Sequence, residues 1–290
     1  MRVLRFLPIT LTLFLIYPLW AQQTSNPQTG PPFTPTRAPQ SQPNMNPSPA
    51  PQDSQAVSVL NQALSAAGGA QAIKAVTDYT GSGNITYHWN QDVQGTVTVT
   101  GGGSVNIRLD ATLPSGVRSW AIHEGQTTLK KEDGKISQLA ATNPNVPTSD
   151  AFPYQTPLFP SSLAFPYRQL GTVLSNPSFA ISYRGVVQVD GHSAADIQVQ
   201  RVSVAAADPM NQYHAREFFI DTSTLQIVMT QDFVPKNVAH QIHYSDYRAI
   251  SGVLVPFAIT EKLGGQPIST IQLSQITFNS GLQDSAFVLQ

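Results

Sequence analysis

Apolar and polar residues alternate along the stretch 79–110. Ile85, Tyr87 and Trp89 are separated by single polar residues, and the same pattern returns at Val97 and Val99. Because successive side chains on a strand point to opposite faces, this alternation predicts strands with one apolar and one polar face. Short polar or glycine-rich turns separate the runs, so the stretch begins an antiparallel meander.

Strand and turn signals continue to the end of the chain. The Asp-Gly pairs at 133–134 and 190–191 predict tight hairpin turns, the first of type I′. A change of phase near Ser274 or Gln275 predicts a β-bulge. About ten or eleven strands are predicted in total, more than a flat open sheet carries comfortably. The sequence therefore predicts a strongly curved antiparallel sheet, a half-barrel.

Helices and one long connection interrupt the strand pattern. A helix capped by Asp53 or Ser54 is predicted to run to about Ala67, and a second short helix follows it. The middle segment 143–177 is rich in Pro and Phe, and only 161–174 can be helical within it. A connection this long inside a compact domain is commonly a functional lid. The predicted fold is mainly β with few helices, its sheet covered by the N-terminal helices and by this central helix and loop.

The N-terminal region precedes the folded domain, which is predicted over 54–290. Residues 1–21 read as a secretory signal peptide, because basic residues lead into an apolar run that ends at Ala21. An uncleaved membrane anchor is the alternative. Residues 22–53 are dominated by Pro, Gln, Ser and Thr and predict a disordered linker. We therefore expect a periplasmic or secreted protein.

The composition limits the classes of partner that the protein can bind. Charged residues make up 11% of the chain and the formal net charge is −1, which gives no field to attract nucleic acid. The chain has no cysteine, so it has neither disulfides nor a cysteine for a lipid anchor. Neutral or apolar partners are expected.

The usual catalytic signatures are missing from the sequence. It has no nucleophile elbow, no phosphate loop and no dinucleotide fingerprint. His240 and His243 lie three apart on a predicted strand and face opposite sides, so they do not predict a metal site. A glycosidase-like carboxylate pair, Glu217 with Asp221 or Asp190 with Asp196, is an alternative. No catalytic residue, metal or cofactor is predicted.

The apolar positions themselves are the candidate site. They are ordinary core or the lining of an apolar cavity. The candidate cavity residues are Ile85, Tyr87, Trp89, Val97, Val99, Ile107, Leu109, Trp120, Ile122 and Phe257. The candidate lid residues are Phe152, Leu158, Phe159, Leu163 and Phe165.

The order of elements resembles the LolA/LolB-like family of exported lipid and lipoprotein carriers. The N-terminal helix leads through Gly68-Gly69 to a short helix before the first strand. The strand 103–108, a following Pro114 and the group Arg118-Ser119-Trp120 are similar to a strand pair of that family. The C-terminal segment 282–289, with its single Phe, is similar to the family's last element.

This resemblance implies a curved antiparallel half-barrel with helices over its open side and an apolar chamber between them. It also implies an inward Arg that holds the lid closed; Arg108 matches by position, although alternation turns it away from Ile107 and Leu109. The expected function is non-enzymatic binding of acyl chains or another apolar ligand, by a monomer with a transient envelope-protein partner. A structural or interaction module with a filled core is the alternative, and a carboxylate hydrolase is a third. The sequence leaves the ligand and the direction of any transfer open.

Overall fold

One antiparallel sheet carries the structure. The computed structural model describes residues 50–88, 90–103, 106–124, 126–139, 163–202, 215–234 and 238–290. Its helices are α1 (Ser54–Ala66), α2 (Ala70–Ala75), α3 (Tyr167–Ser175) and a C-terminal 3-10 helix (Asp284–Phe287). Its strands are β1 (Asp78–His88), β2 (Asp92–Gly102), β3 (Asn106–Leu113), β4 (Gly116–His123), β5 (Gln126–Lys130), β6 (Ile136–Leu139), β7 (Phe179–Val189), β8 (His192–Arg201), β9 (Ala215–Asp221), β10 (Ile227–Val234), β11 (Val238–Ile250), β12 (Val253–Leu263) and β13 (Gln266–Phe278).

The thirteen strands of the described residues form two meanders joined along β1 and β13. The spatial order is β6-β5-β4-β3-β2-β1-β13-β12-β11-β10-β9-β8-β7. Within the described pairings, β6 and β7 lie at the two edges, so the sheet is open. The predicted mainly β, curved antiparallel class is confirmed. The strand number was underestimated, because β6 has four residues and half of β7 is exposed, which weakens their alternation.

The two faces of the sheet differ as the alternation predicted. We call the face that carries Val97, Val99 and Leu109 the inner face; these residues share one apolar cluster with the buried side of α1 and α3. The opposite, outer face is mainly polar. It carries a second, smaller cluster on β7–β10: Val189, Ala194, Phe219, Val228 and Met229.

Helix α1 begins where the sequence predicts. The Asp53 carboxylate accepts hydrogen bonds from the backbone N–H of Gln55 (2.8 Å) and Ala56 (2.9 Å), as an N-cap does. The helix buries Leu60 and Leu64 against the inner face. Immediately before it, the last residues of the predicted linker pair with the edge of β7, for example through Ile181 N–H to Pro51 O (3.0 Å).

Local irregularities bend the strands. The predicted bulge is confirmed: Ser82 lies opposite Gln275 and Gly83 opposite Leu273, so Ser274 is the extra residue. The type I′ prediction at Asp133-Gly134 is wrong. Only Gly134 has a positive φ (81°), and its N–H donates to Lys131 O (2.9 Å). A five-residue connection with the glycine in a bulge position replaces the two-residue turn.

The C-terminal tail crosses the outer face. Arg108 lies on that face and pairs with Asp110 (Nε to Oδ2, 2.8 Å). The same guanidinium donates to the carbonyl groups of Ala286 (3.2 Å) and Val288 (3.3 Å). Arg108 therefore holds the tail and not an inner lid, because strand alternation turns it outward. None of the described helices is long and apolar enough to span a bilayer.

Candidate functional site

The inner face gathers the predicted cavity residues into one apolar surface. The nine that the structure describes are all buried in the same cluster: Ile85, Tyr87, Val97, Val99, Ile107, Leu109, Trp120, Ile122 and Phe257. Trp89 lies outside the described residues. Eight of them come together because one parity of β1–β4 faces the helices, and Phe257 joins them from β12. Their role as a ligand cavity stays a prediction.

The predicted lid is described only in its C-terminal part. Leu163 and Phe165 are buried, and the Phe165 ring lies 6.3 Å from that of Tyr79 and 5.6 Å from that of Phe278. The segment before α3 therefore contacts the ends of β1 and β13. Phe152, Leu158 and Phe159 lie outside the described residues.

Polar contacts connect the first turn of α3 to strand β10 and to the segment that precedes β1. The Tyr167 hydroxyl accepts from Ile227 N–H (3.3 Å), and its ring lies edge-on to Tyr247 at 5.8 Å. Arg168 Nη2 donates to the carbonyl groups of Val76 (2.6 Å) and Thr77 (3.0 Å). Burial raises the pKa of the Tyr167 hydroxyl to about 12, so it stays protonated in this contact.

Arg216 makes the third tether, from the inner face of β9. Its Nε donates to Asp232 Oδ1 (2.7 Å), its Nη2 to Asp232 Oδ2, and its Nη1 to Gln169 Oε1 (3.0 Å) on α3. Arg216, Asp232 and Gln169 are each only about 3% exposed. Sequence reasoning missed all three, since Gln169 and Arg216 are 47 positions apart. The only signal in the sequence was that Arg216 and Asp232 occupy strand positions on the same face as apolar residues of their strands.

A buried polar row continues from Arg216 across the inner face. Asp232 lies opposite both Arg216 and His240 in strand register. His240 Nε2 hydrogen-bonds Glu261 Oε1 (2.7 Å), and the Ser269 hydroxyl donates to Glu261 Oε2 (3.0 Å). The row therefore spans β9 to β13 at one end of the apolar surface.

Beyond Ser269 the row meets Tyr87 and a further ion pair. Tyr87 lies opposite Ser269, and Arg118 pairs with Glu132 at 3.4 Å. Burial raises the pKa of the Tyr87 hydroxyl, Arg118 lowers it, and the carboxylates of Glu261 and Glu132 raise it. The polar row of the inner face comprises Arg216, Asp232, His240, Glu261, Ser269, Tyr87, Arg118 and Glu132.

The carboxylates considered for hydrolysis are separated or lie on the outer face. Asp221 caps its turn and bonds His192 Nδ1 (2.7 Å), whereas Asp190 bonds His243 Nδ1 (2.5 Å). Glu217 has Asp196 as its acidic neighbour. Burial raises the pKa of both, and Asp196 raises that of Glu217 further. Neither proposed pair is formed.

The acidic and histidine side chains of the described residues do not form a metal-ligand cluster. Within the described residues no group of three or more His, Cys, Asp or Glu side chains converges as a metal site would. His240 and His243 bond different carboxylates, Glu261 and Asp190. Each imidazole therefore has its own partner on its own face of the sheet.

Comparison with known proteins identifies the fold. No protein-family model matches the chain, and no curated protein is similar to it in sequence. A solved structure described as an outer membrane lipoprotein-sorting protein domain, from Vibrio parahaemolyticus, matches with a TM-score of 0.53 and 8% identity over 80% of this chain and 96% of that one. A LolA superfamily protein from Nitrosomonas europaea matches with a TM-score of 0.51 and 9% identity over 81% and 98%. The chain has a LolA-like fold.

A third structure extends the same likeness. A DUF1329 family protein from Desulfovibrio piger matches with a TM-score of 0.50 and 9% identity, over 80% of this chain and 97% of that one. The resemblance to LolA read from the sequence is thus confirmed for the fold. At 8–9% identity the likeness establishes the fold alone.

Proposed function

We propose that this protein is an exported, non-enzymatic, monomeric carrier that holds an acyl chain, free or attached to another molecule, between the inner face and α3. The observation that carries the proposal is the apolar inner face of the sheet, with α3 held against its β9–β11 part by polar tethers. The LolA-like fold, with one similar structure described as lipoprotein-sorting, supports it. Its partners are then lipids or acylated proteins of the cell envelope, met in the periplasm or outside the cell.

Burial of the chain can supply the binding energy without a reactive group. Each methylene removed from water contributes roughly 0.8 kcal/mol. A chain of about sixteen carbons therefore gains on the order of 12 kcal/mol, from which ordering and association remove several. An apolar surface of suitable shape is sufficient for useful affinity.

The low exposure of the inner face favours one alternative, a structural or protein-interaction module whose sheet is packed shut. Val97 is 2% exposed and Trp120 is 8% exposed. A side chain added to a filled core costs stability, whereas one added to a chamber displaces ligand. The substitution Val97→Phe separates the two functions.

If a chamber exists, Val97→Phe leaves thermal stability nearly unchanged and reduces the lipid that copurifies, as measured by solvent extraction and mass spectrometry. If the core is filled, it lowers the free energy of unfolding by about 1–3 kcal/mol. Val117→Phe is the matched control, because Val117 is 45% exposed on β4. If no lipid copurifies with the unmodified protein and none binds when it is added, the carrier proposal is contradicted.

A further inference from the structure

The polar row at the end of the apolar surface limits what the polar end of a bound molecule can be. The inference below rests on the proposed function, since it concerns the ligand of the same chamber. Arg216 is paired with Asp232, His240 with Glu261, and Arg118 with Glu132. Each basic group described in this row already faces a carboxylate.

The charge balance of the row disfavours an anion. It has two guanidinium groups and three carboxylates, so its net charge is zero or negative whichever protonation state His240 has. A carboxylate or phosphate brought beside it would be buried without a free cation, which is strongly unfavourable. Arg168 lies outside the row, since its Nη2 donates to Val76 and Thr77 before the start of β1, at the other end of that strand from Tyr87. Its Nη1 has no hydrogen-bond partner within the described residues.

Gln169 Nε2, which lies beside the row, is a buried donor with no hydrogen-bond partner within the described residues. The Gln169 side chain comes from α3 and reaches Arg216 on the inner face, so its amide lies between helix and sheet. Arg216 fixes the amide orientation: Nη1 donates to Oε1, and the reversed amide would set two donors against each other. Nε2 is therefore left as a buried donor, which needs an acceptor.

We infer that the bound molecule ends in an uncharged acyl ester, whose carbonyl oxygen accepts a hydrogen bond from Gln169 Nε2. An ester carbonyl is an acceptor without charge, so it satisfies the donor and leaves the three ion pairs intact. Its acyl chain lies along the apolar surface. The chamber then discriminates against fatty acids and anionic phospholipids of the same chain length.

Two lipids that differ in one phosphate group test the ligand class. Binding of 1-palmitoylglycerol and of 1-palmitoylglycerol-3-phosphate to the delipidated full chain is measured by displacement of a fluorescent acyl probe. We expect the neutral ester to bind at least about tenfold more tightly. Equal or tighter binding of the phosphate would overturn this inference while leaving the carrier proposal standing. If neither lipid binds and none copurifies, the proposed function itself fails.

The variant Gln169→Glu tests the donor, because it keeps an oxygen for Arg216 and removes the N–H. We expect the affinity for 1-palmitoylglycerol to fall about five- to tenfold, the usual effect of one hydrogen bond. The affinity for 1-hexadecylglycerol, an ether without the carbonyl, should not change. The matched control is Gln62→Glu on the exposed face of α1. If the affinities for the ester and the ether fall equally, the assignment of Gln169 Nε2 as the donor is overturned. If the variant does not fold, the comparison of the two lipids on the unmodified protein still decides the ligand class.

Discussion

Glu217 shows how a single ionisable residue on the outer face can oppose folding. Its carboxylate accepts a hydrogen bond from Gln231 Nε2 at 2.6 Å, yet burial and the neighbouring Asp196 raise its pKa. A carboxyl group with a raised pKa binds its proton more tightly in the folded protein than in the unfolded chain. It therefore favours folding at low pH, and this contribution is lost as the pH rises through the folded-state pKa.

Replacing this carboxylate should stabilise the protein at neutral pH. Glu217→Gln keeps an oxygen for Gln231 and removes the buried charge, so we expect a higher melting temperature at pH 7. At pH 3 the carboxyl group of Glu217 is protonated, so the variant and the wild type should have the same melting temperature. Thermal unfolding followed by circular dichroism at both values makes the comparison. A lower melting temperature at pH 7, or the same increase at both pH values, would show that the carboxylate is not penalised.

Residue identities on the strands were predictable where alternation alone decides them. Val97, Val99 and Leu109 alternate with polar residues, and this alternation places them on the buried face of the sheet. The pattern can be seen without knowing which distant residues they contact. The outward direction of Arg108 followed from the same parity. The hydrogen bonds that Arg108 makes to Ala286 and Val288 did not, since they depend on a contact nearly 180 positions away.

Helix α3 is the element whose contacts matter most to the proposed site. Arg216 links it to the sheet, and the Arg216–Asp232 pair is almost fully buried. Removing one partner of a buried ion pair leaves the other charge unpaired. Removing one charge of the pair should therefore reduce the stability far more than replacing both residues with apolar ones.

We expect Arg216→Met to lower the free energy of unfolding by about 3–5 kcal/mol, because Asp232 is left buried without its cation. The double variant Arg216→Met with Asp232→Leu should recover most of that loss. Urea unfolding of the single and double variants measures both quantities. If the double variant is as unstable as the single one, the ion pair is not the source of the effect, and the tether through Gln169 carries it instead.

Elements with local signals were predictable and those fixed by tertiary contacts were not. Asp53 marks the start of α1, and the phase change near Ser274 marks the bulge of β13. The turn at Asp133-Gly134 has the residues of a type I′ hairpin but a different geometry. There the backbone N–H of Lys135 donates to the Asp133 side chain (3.0 Å), which stabilises a longer connection. The competition between these two local options could not be read from the dipeptide alone.

At the scale of the whole molecule, the pairing of β1 with β13 makes one sheet from two meanders. The curved mainly β class could be predicted from alternation and turn spacing. The full strand count could not, because the exposed part of β7 does not alternate. The buried polar row was also missed, since its members come from β1, β4, the β5–β6 connection and β9–β13 and meet only when the sheet is assembled.

In the proposed function an acyl chain lies against the inner face, where Trp120 can report on it directly. With Trp20→Phe and Trp89→Phe, Trp120 is the only tryptophan left of the chain's three. We predict that a palmitoyl ester brominated in mid-chain quenches the Trp120 fluorescence saturably, while the unbrominated ester does not. Bromine quenches only on contact, so equal and negligible quenching by the two esters would contradict a chain bound between the sheet and α3.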